Sequence, residues 1–254
     1  MPCCERRYVM RLALIGCQVM VRELSAVIAS HGNECVPYWL PQGLHDVPEK
    51  LLKQLNEKIL EVERVWEEKP PYRQLDYIVL GYALCGKGVS GIRAGKVPLV
   101  IPRVDDCISL FLGSRQRYLK YFRRYKGTYW FTPGWVESAG LSPSKELYEY
   151  KYNDYVERFG EENAEYLMEQ ENSWLQEYKN GIYITSQVCR NESYIKRARG
   201  MAESHGWDFR LFTGDMRYFN EMLDGNWYEE RFLICPPGKT IIASDDEKVL
   251  IAVD

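Results

Sequence analysis

Residues 76–80, Asp-Tyr-Ile-Val-Leu, constrain the fold more than any other stretch. After Asp76 the run is continuously apolar and β-branched rather than alternating, the pattern of a strand covered on both faces. Residues 10–15, Met-Arg-Leu-Ala-Leu-Ile, read the same way, and shorter runs at 34–38 and 98–101 supply two more strands. Between them lie helical patterns. One covers 19–31, with apolar residues at 20, 24, 27 and 28. The other opens at Pro48, and its Leu52, Leu55, Ile59, Val62 and Trp66 trace one stripe until Pro70-Pro71 stops it. Buried strands alternating with helices predict an α/β fold of Rossmann-like design, a mainly parallel sheet with helices on both faces.

The C-terminal third repeats the alternation. Strands are expected at 181–185, 207–212, 231–235, 240–243 and 249–253, the last two as a hairpin, with a helix capped by Asn191 and another begun by Asp215. Residues 144–179 are helical and strongly charged. The expected organisation is an α/β half over 1–143, a helical insertion over 144–179, and a second α/β half over 180–254, continuous with the first. The apolar runs at 12–21 and 77–86 fall well short of the ~20 residues that span a bilayer. Residues 1–7 lack the apolar stretch of a secretory signal. A cytoplasmic protein with no membrane partner is therefore expected.

Eight cysteines, at 3, 4, 17, 35, 85, 107, 189 and 235, show no C-x-x-C spacing. Each read singly is a small buried hydrophobe. Their placement suggests more, because open parallel sheets hold ligands beyond the carboxyl ends of their strands. Cys17 follows the first strand, His45 lies in the connection after the second, Cys85 follows the third, and Asp105, Asp106 and Cys107 follow the fourth. Three thiols and an imidazole on one rim are ligands that zinc prefers, and thiolates alone suit an iron–sulfur cluster. The glycine-rich loop 81–91 has neither nucleotide fingerprint, but Gly86 and Gly88 permit close backbone approach to a substrate. Arg103 is a candidate partner for a small anion, and Asp106 a candidate helix cap or support for the site.

Residues 115–130 carry six basic side chains among aromatics and no acid, a pattern that can grip single-stranded nucleic acid. Against that stands a net charge of −3 and nine acids between 146 and 171 beside only Lys151 and Arg158. Charge pairing within the chain or between subunits is the better reading, so a homo-oligomer is possible and no specific nucleic-acid partner is expected.

Several short motifs occur in a telling order: Leu-Ile-Gly-Cys at 14–17, Arg-Glu-Leu at 22–24, Leu-Pro at 40–41 and Leu-His at 44–45. They continue with Leu-Gly-Tyr-Ala-Leu-Cys-Gly at 80–86, Ile-Pro-Arg at 101–103, Asp-Cys-Ile at 106–108, Leu-Gly-Ser at 112–114, Gly-Thr-Tyr-Trp at 127–130 and Gly-Trp at 134–135. Together they resemble a "domain of unknown function" family of anaerobic archaea and bacteria that is associated with corrinoid-dependent methyl transfer and one-carbon metabolism. The resemblance implies thiols matching Cys17, Cys85 and Cys107 and a histidine matching His45. It also implies a second histidine where this chain has Asp105. The expectation is a metal-dependent protein of methyl-transfer metabolism, a methyltransferase or its accessory, with zinc first and an iron–sulfur cluster second. Its small-molecule partner is a methyl donor or acceptor. Corrinoid is expected only through a partner protein, since the chain has no Asp-x-His-x-x-Gly motif. The alternative is a non-catalytic sensor that binds a small anion or cofactor in the same crevice.

Overall fold

The computed structural model describes residues 9–138 and 145–254, so Cys3 and Cys4 lie outside the described residues. In chain order the first elements are β1 (Arg11–Cys17), α1 (Val21–Ser30), β2 (Glu34–Leu40), α2 (Pro48–Glu67), β3 (Tyr77–Gly81), β4 (Ile92–Arg93), β5 (Leu99–Pro102) and α3 (Cys107–Phe111). There follow α4 (Arg115–Arg124), β6 (Thr128–Phe131), α5 (Pro133–Ser138), α6 (Lys145–Phe159), α7 (Glu161–Ser173), β7 (Asn180–Thr185), α8 (Glu192–Ser204) and β8 (Asp208–Thr213). The chain closes with α9 (Arg217–Asp224), β9 (Phe232–Cys235), β10 (Thr240–Ala243) and β11 (Leu250–Val253).

Two compact units emerge, one formed by residues 1–115 with 215–254 and the other by 116–214. The first is built on a five-stranded sheet in the order β2-β1-β3-β5-β9. Its first four strands are parallel, and β9 joins β5 antiparallel. This is the expected α/β architecture with a mainly parallel sheet. Both faces of β1 are buried, because Leu12 and Leu14 point one way and Ala13 and Ile15 the other, all four inaccessible to water. Helix α2 covers the second face, setting Leu51, Leu55, Ile59 and Val62 into one core with Ala13, Ile15, Ile78, Leu80, Leu99 and Ile101. Each such side chain contributes roughly 1.5–3 kcal/mol by leaving water. Leu52 and Trp66, expected on this stripe, lie at its margin. The buried carboxylate of Glu63 accepts the backbone N–H groups of Lys96 and Val97 at 2.8 and 2.9 Å, tying α2 to the turn before β5.

On the opposite face Leu24 of α1 reaches the carboxyl ends of β1 and β3. A Cβ on Gly16 would stand 2.8 Å from the Trp39 ring and 3.5 Å from Leu24. A Cβ on Gly81, which is paired in register with Gly16, would come within 3.2 Å of the Gly16 Cα. Two glycines therefore let the strand ends approach where the loops diverge. The C-terminal hairpin β10–β11 forms as expected, and β10 also pairs with the two-residue β4.

The second unit has its own parallel sheet, in the order β6-β7-β8. Tyr121 of α4 and Tyr125 just beyond it pack their rings on Phe212 at 4.3 and 5.6 Å. Ala198 and Ala202 of α8 join Phe131, Tyr183 and Trp207 in a separate core.

Candidate functional site

Three connections of the first unit leave the carboxyl edge of its sheet, and each delivers a thiol. Cys17 is the last residue of β1, still extended at φ −71°, ψ 137°, before a single 3-10 turn leads into α1. Beyond β3 the chain keeps following its neighbour for two more hydrogen bonds, Leu84 N–H to Val104 O at 2.9 Å and Cys85 N–H to Asp105 O at 3.3 Å. That extension sets Cys85 beside the start of α3. There Asp106 is the N-cap, its carboxylate accepting Ile108 N–H at 2.8 Å, and Cys107 is the first helical residue.

The turn carrying Cys85 is strained. Cys85, Gly86 and Lys87 have successive φ values of 47°, 62° and 72°. Glycine adopts this left-handed conformation freely, whereas each side-chain-bearing residue pays roughly 1–2 kcal/mol. Such strain concentrates where a ligand or a reaction needs a side chain aimed against its local preference.

The three thiols, each half-buried, lie within electrostatic reach of one another. Burial pushes the Cys85 thiol up to about 12, and the negative charges of Asp106 and Cys17 push the same way. Burial also holds Cys107 well above the ordinary thiol range, followed by Asp106, Cys85 and Cys17. Cys17 is raised by burial and partly relieved by the Val19 N–H. Asp106 is itself raised by burial, against the pull of the Ile108 N–H, the Cys107 thiol and the charge of His45. His45 lies in the connection after β2, its side chain 54% exposed and 3.5 Å from Asp46.

Tyr82 completes the cluster, and sequence reasoning missed it. Its ring is 3% exposed, and its buried hydroxyl has no hydrogen-bond partner among the described residues. The ring belongs to the core against which Cys17 and Cys85 also pack, and burial raises its pKa, with the charges of both thiols acting the same way. The available signal was a lone hydroxyl-bearing ring in the otherwise apolar segment between β3 and Cys85.

Other expected site residues are placed differently. Arg103 is buried, and its guanidinium is engaged by backbone carbonyl groups. Its Nε donates to Phe232 O at 3.2 Å and its Nη1 to Lys248 O at 3.0 Å and to Leu250 O. Instead of offering a charge to an anion it clips β5 to the C-terminal strands. Gly88 is required by packing, since a Cβ there would lie 2.7 Å from Leu51, whereas Gly86 is open. Asp105, where the resemblance implies histidine, holds Arg115 through two contacts at 2.7 and 3.3 Å. Among the described residues no three His, Cys, Asp or Glu side chains stand as a ready-made metal-binding group. None of the described helices is long and apolar enough to cross a membrane.

A model of a family described as "Protein of unknown function (DUF1638)" matches residues 39–223, which include His45, Cys85 and Cys107. No curated protein and no solved structure matches the chain.

Proposed function

The chain belongs to the DUF1638 family of proteins of unknown function, and we propose that it is a metal-dependent protein of one-carbon or methyl-transfer metabolism, a cytoplasmic methyltransferase or its accessory. The observation that carries this reading is that Cys17, Cys85 and Cys107 leave one edge of the sheet on three separate connections, near the buried Tyr82 whose hydroxyl has no hydrogen-bond partner among the described residues. The donor set fits a soft ion, zinc first and an iron–sulfur cluster second. Cys17, Cys85 and Cys107 would hold it, with His45 as the fourth candidate.

Two adjustments are needed before they can. The side chains must turn about χ1, because they do not stand as a ready-made group, and the thiols must shed their protons. When bound, such an ion keeps a substrate thiol deprotonated as a methyl acceptor. The chain's own groups then have distinct tasks. Asp106 caps α3 by accepting the Ile108 N–H, fixing the helix end that carries Cys107 beside Cys85. Tyr82 donates a hydrogen bond to an oxygen or nitrogen of the bound molecule, the one acceptor its burial otherwise denies it. The exposed Gly86 and Lys87 border the entry. A corrinoid methyl donor would be met on a partner protein. The small-anion sensor reading is weaker, since Arg103, its cation, is spent on carbonyl groups.

Anaerobic purification followed by zinc and iron analysis tests this. The wild type should carry metal, Cys85→Ser should lose most of it, and occupancy should rise with pH because ligand protons are released on binding. A metal-free wild type, or full occupancy in Cys85→Ser, overturns the reading.

A further inference from the structure

In the second unit, α4 turns Tyr118 and Tyr121 inward onto Trp130 and Phe212, and Tyr125 just beyond it packs on Phe212 as well. Its opposite side presents Gln116, Leu119, Lys120 and Arg123, which with Arg124 line a groove of about 560 Å³. Lys120, Arg123 and Arg124 are exposed and make no ion pair among the described residues. The acids of α7 do not cover them. Helix α7 buries Ala164 and Met168 and turns Glu162, Glu165, Tyr166 and Glu169 to solvent, with Tyr166 59% exposed. Its glutamates likewise make no ion pair among the described residues.

Both outward faces have the same helical spacing, i, i+3, i+4 and i+7. Laid antiparallel, Leu119 meets Tyr166, Lys120 meets Glu165 and Arg123 meets Glu162. One apolar contact is thus flanked by two charge pairs of correct sign, and no like charges face each other. We propose that the α4 face receives the α7 face of a second copy of this chain, so that the protein self-associates through complementary charged helices. A second copy is the occupant because the exposed α7 face of this same chain carries the opposite charge at the same helical spacing. A polyanion such as single-stranded nucleic acid would neutralise Lys120 and Arg123 but would leave Glu162, Glu165 and Tyr166 exposed. The inference is independent of the thiol site, whose residues all lie in the first unit.

Charge reversal followed by sedimentation tests it. Wild type should associate at 0.1 M salt and dissociate towards 1 M, as the screening length falls from about 10 Å to about 3 Å. K120E/R123E and E162K/E165K should each weaken association by roughly tenfold or more. Mixed together, the two variants should pair, because each then offers the face that the other lacks. A wild type that stays monomeric, association that survives both reversals, or variants that fail to pair on mixing overturns the proposal. So does a monomer whose Lys120 and Arg123 instead retain single-stranded RNA. Circular dichroism of each variant separates lost association from lost folding.

Discussion

The sharpest residue in the molecule is Tyr82, because its chemistry and its surroundings disagree. Leaving a buried hydroxyl unpaired costs about 1–3 kcal/mol, so a chain selected for stability alone would place phenylalanine there. Cys85 tells a similar story in its backbone, held at φ 47° without a glycine's freedom. Both costs fall at one sheet edge, beside two further thiols, which is why we read them as the local expense of a binding site. Tyr82→Phe should therefore leave the melting temperature unchanged or higher, while binding of the methyl-carrying molecule weakens. Calorimetry with ligand titration checks this, and a Phe variant that is clearly destabilised would show that the hydroxyl serves the fold.

Among the elements, legibility followed the range of the forces involved. Strands β1, β3 and β5 could be read because two-sided burial leaves a continuous apolar run in the sequence. The caps at Asp106 and Asn191 could be read because they satisfy N–H groups two residues ahead. Strand β6, Thr-Tyr-Trp-Phe, was hidden: its aromatics continue those of α4, so the whole stretch looks like one basic aromatic face. The two-residue β4 carries no period at all. The thiols were legible as strand-end residues, whereas Arg103 was misjudged because its partners, Phe232, Lys248 and Leu250, lie far along the chain. The clip makes its own prediction. Arg103→Ala leaves buried carbonyls without donors and should destabilise the first unit by about 2–3 kcal/mol in urea denaturation. Arg103→Lys should not rescue it, since one ammonium cannot replace the guanidinium fork. Wild-type stability in Arg103→Ala would return the residue to the list of ligand contacts.

At the scale of the whole molecule, the chain leaves its first unit at Arg115 and returns at Asp215. No local pattern announces that return, which depends on long-range pairing such as Val100 with Ile234 and on the Asp215 N–H meeting Phe111 O at 2.9 Å. It has a functional consequence, because Cys17, Cys85, Cys107, Asp106, His45 and Tyr82 all belong to the unit that brackets the other. A ligand that binds the folded site stabilises what it touches by mass action, about 4.1 kcal/mol at a thousandfold excess over its dissociation constant. The thiols sit on three strand-to-helix junctions, so metal should draw those junctions together as one body. Hydrogen exchange should then slow in β1, β3, β5 and α3 when zinc is added to the metal-free protein. Exchange in β7 and β8 of the other unit should be unchanged, and Cys85→Ser should abolish the slowing. Protection that spreads equally through both units, or that persists in Cys85→Ser, would mean that zinc acts somewhere other than the thiol edge.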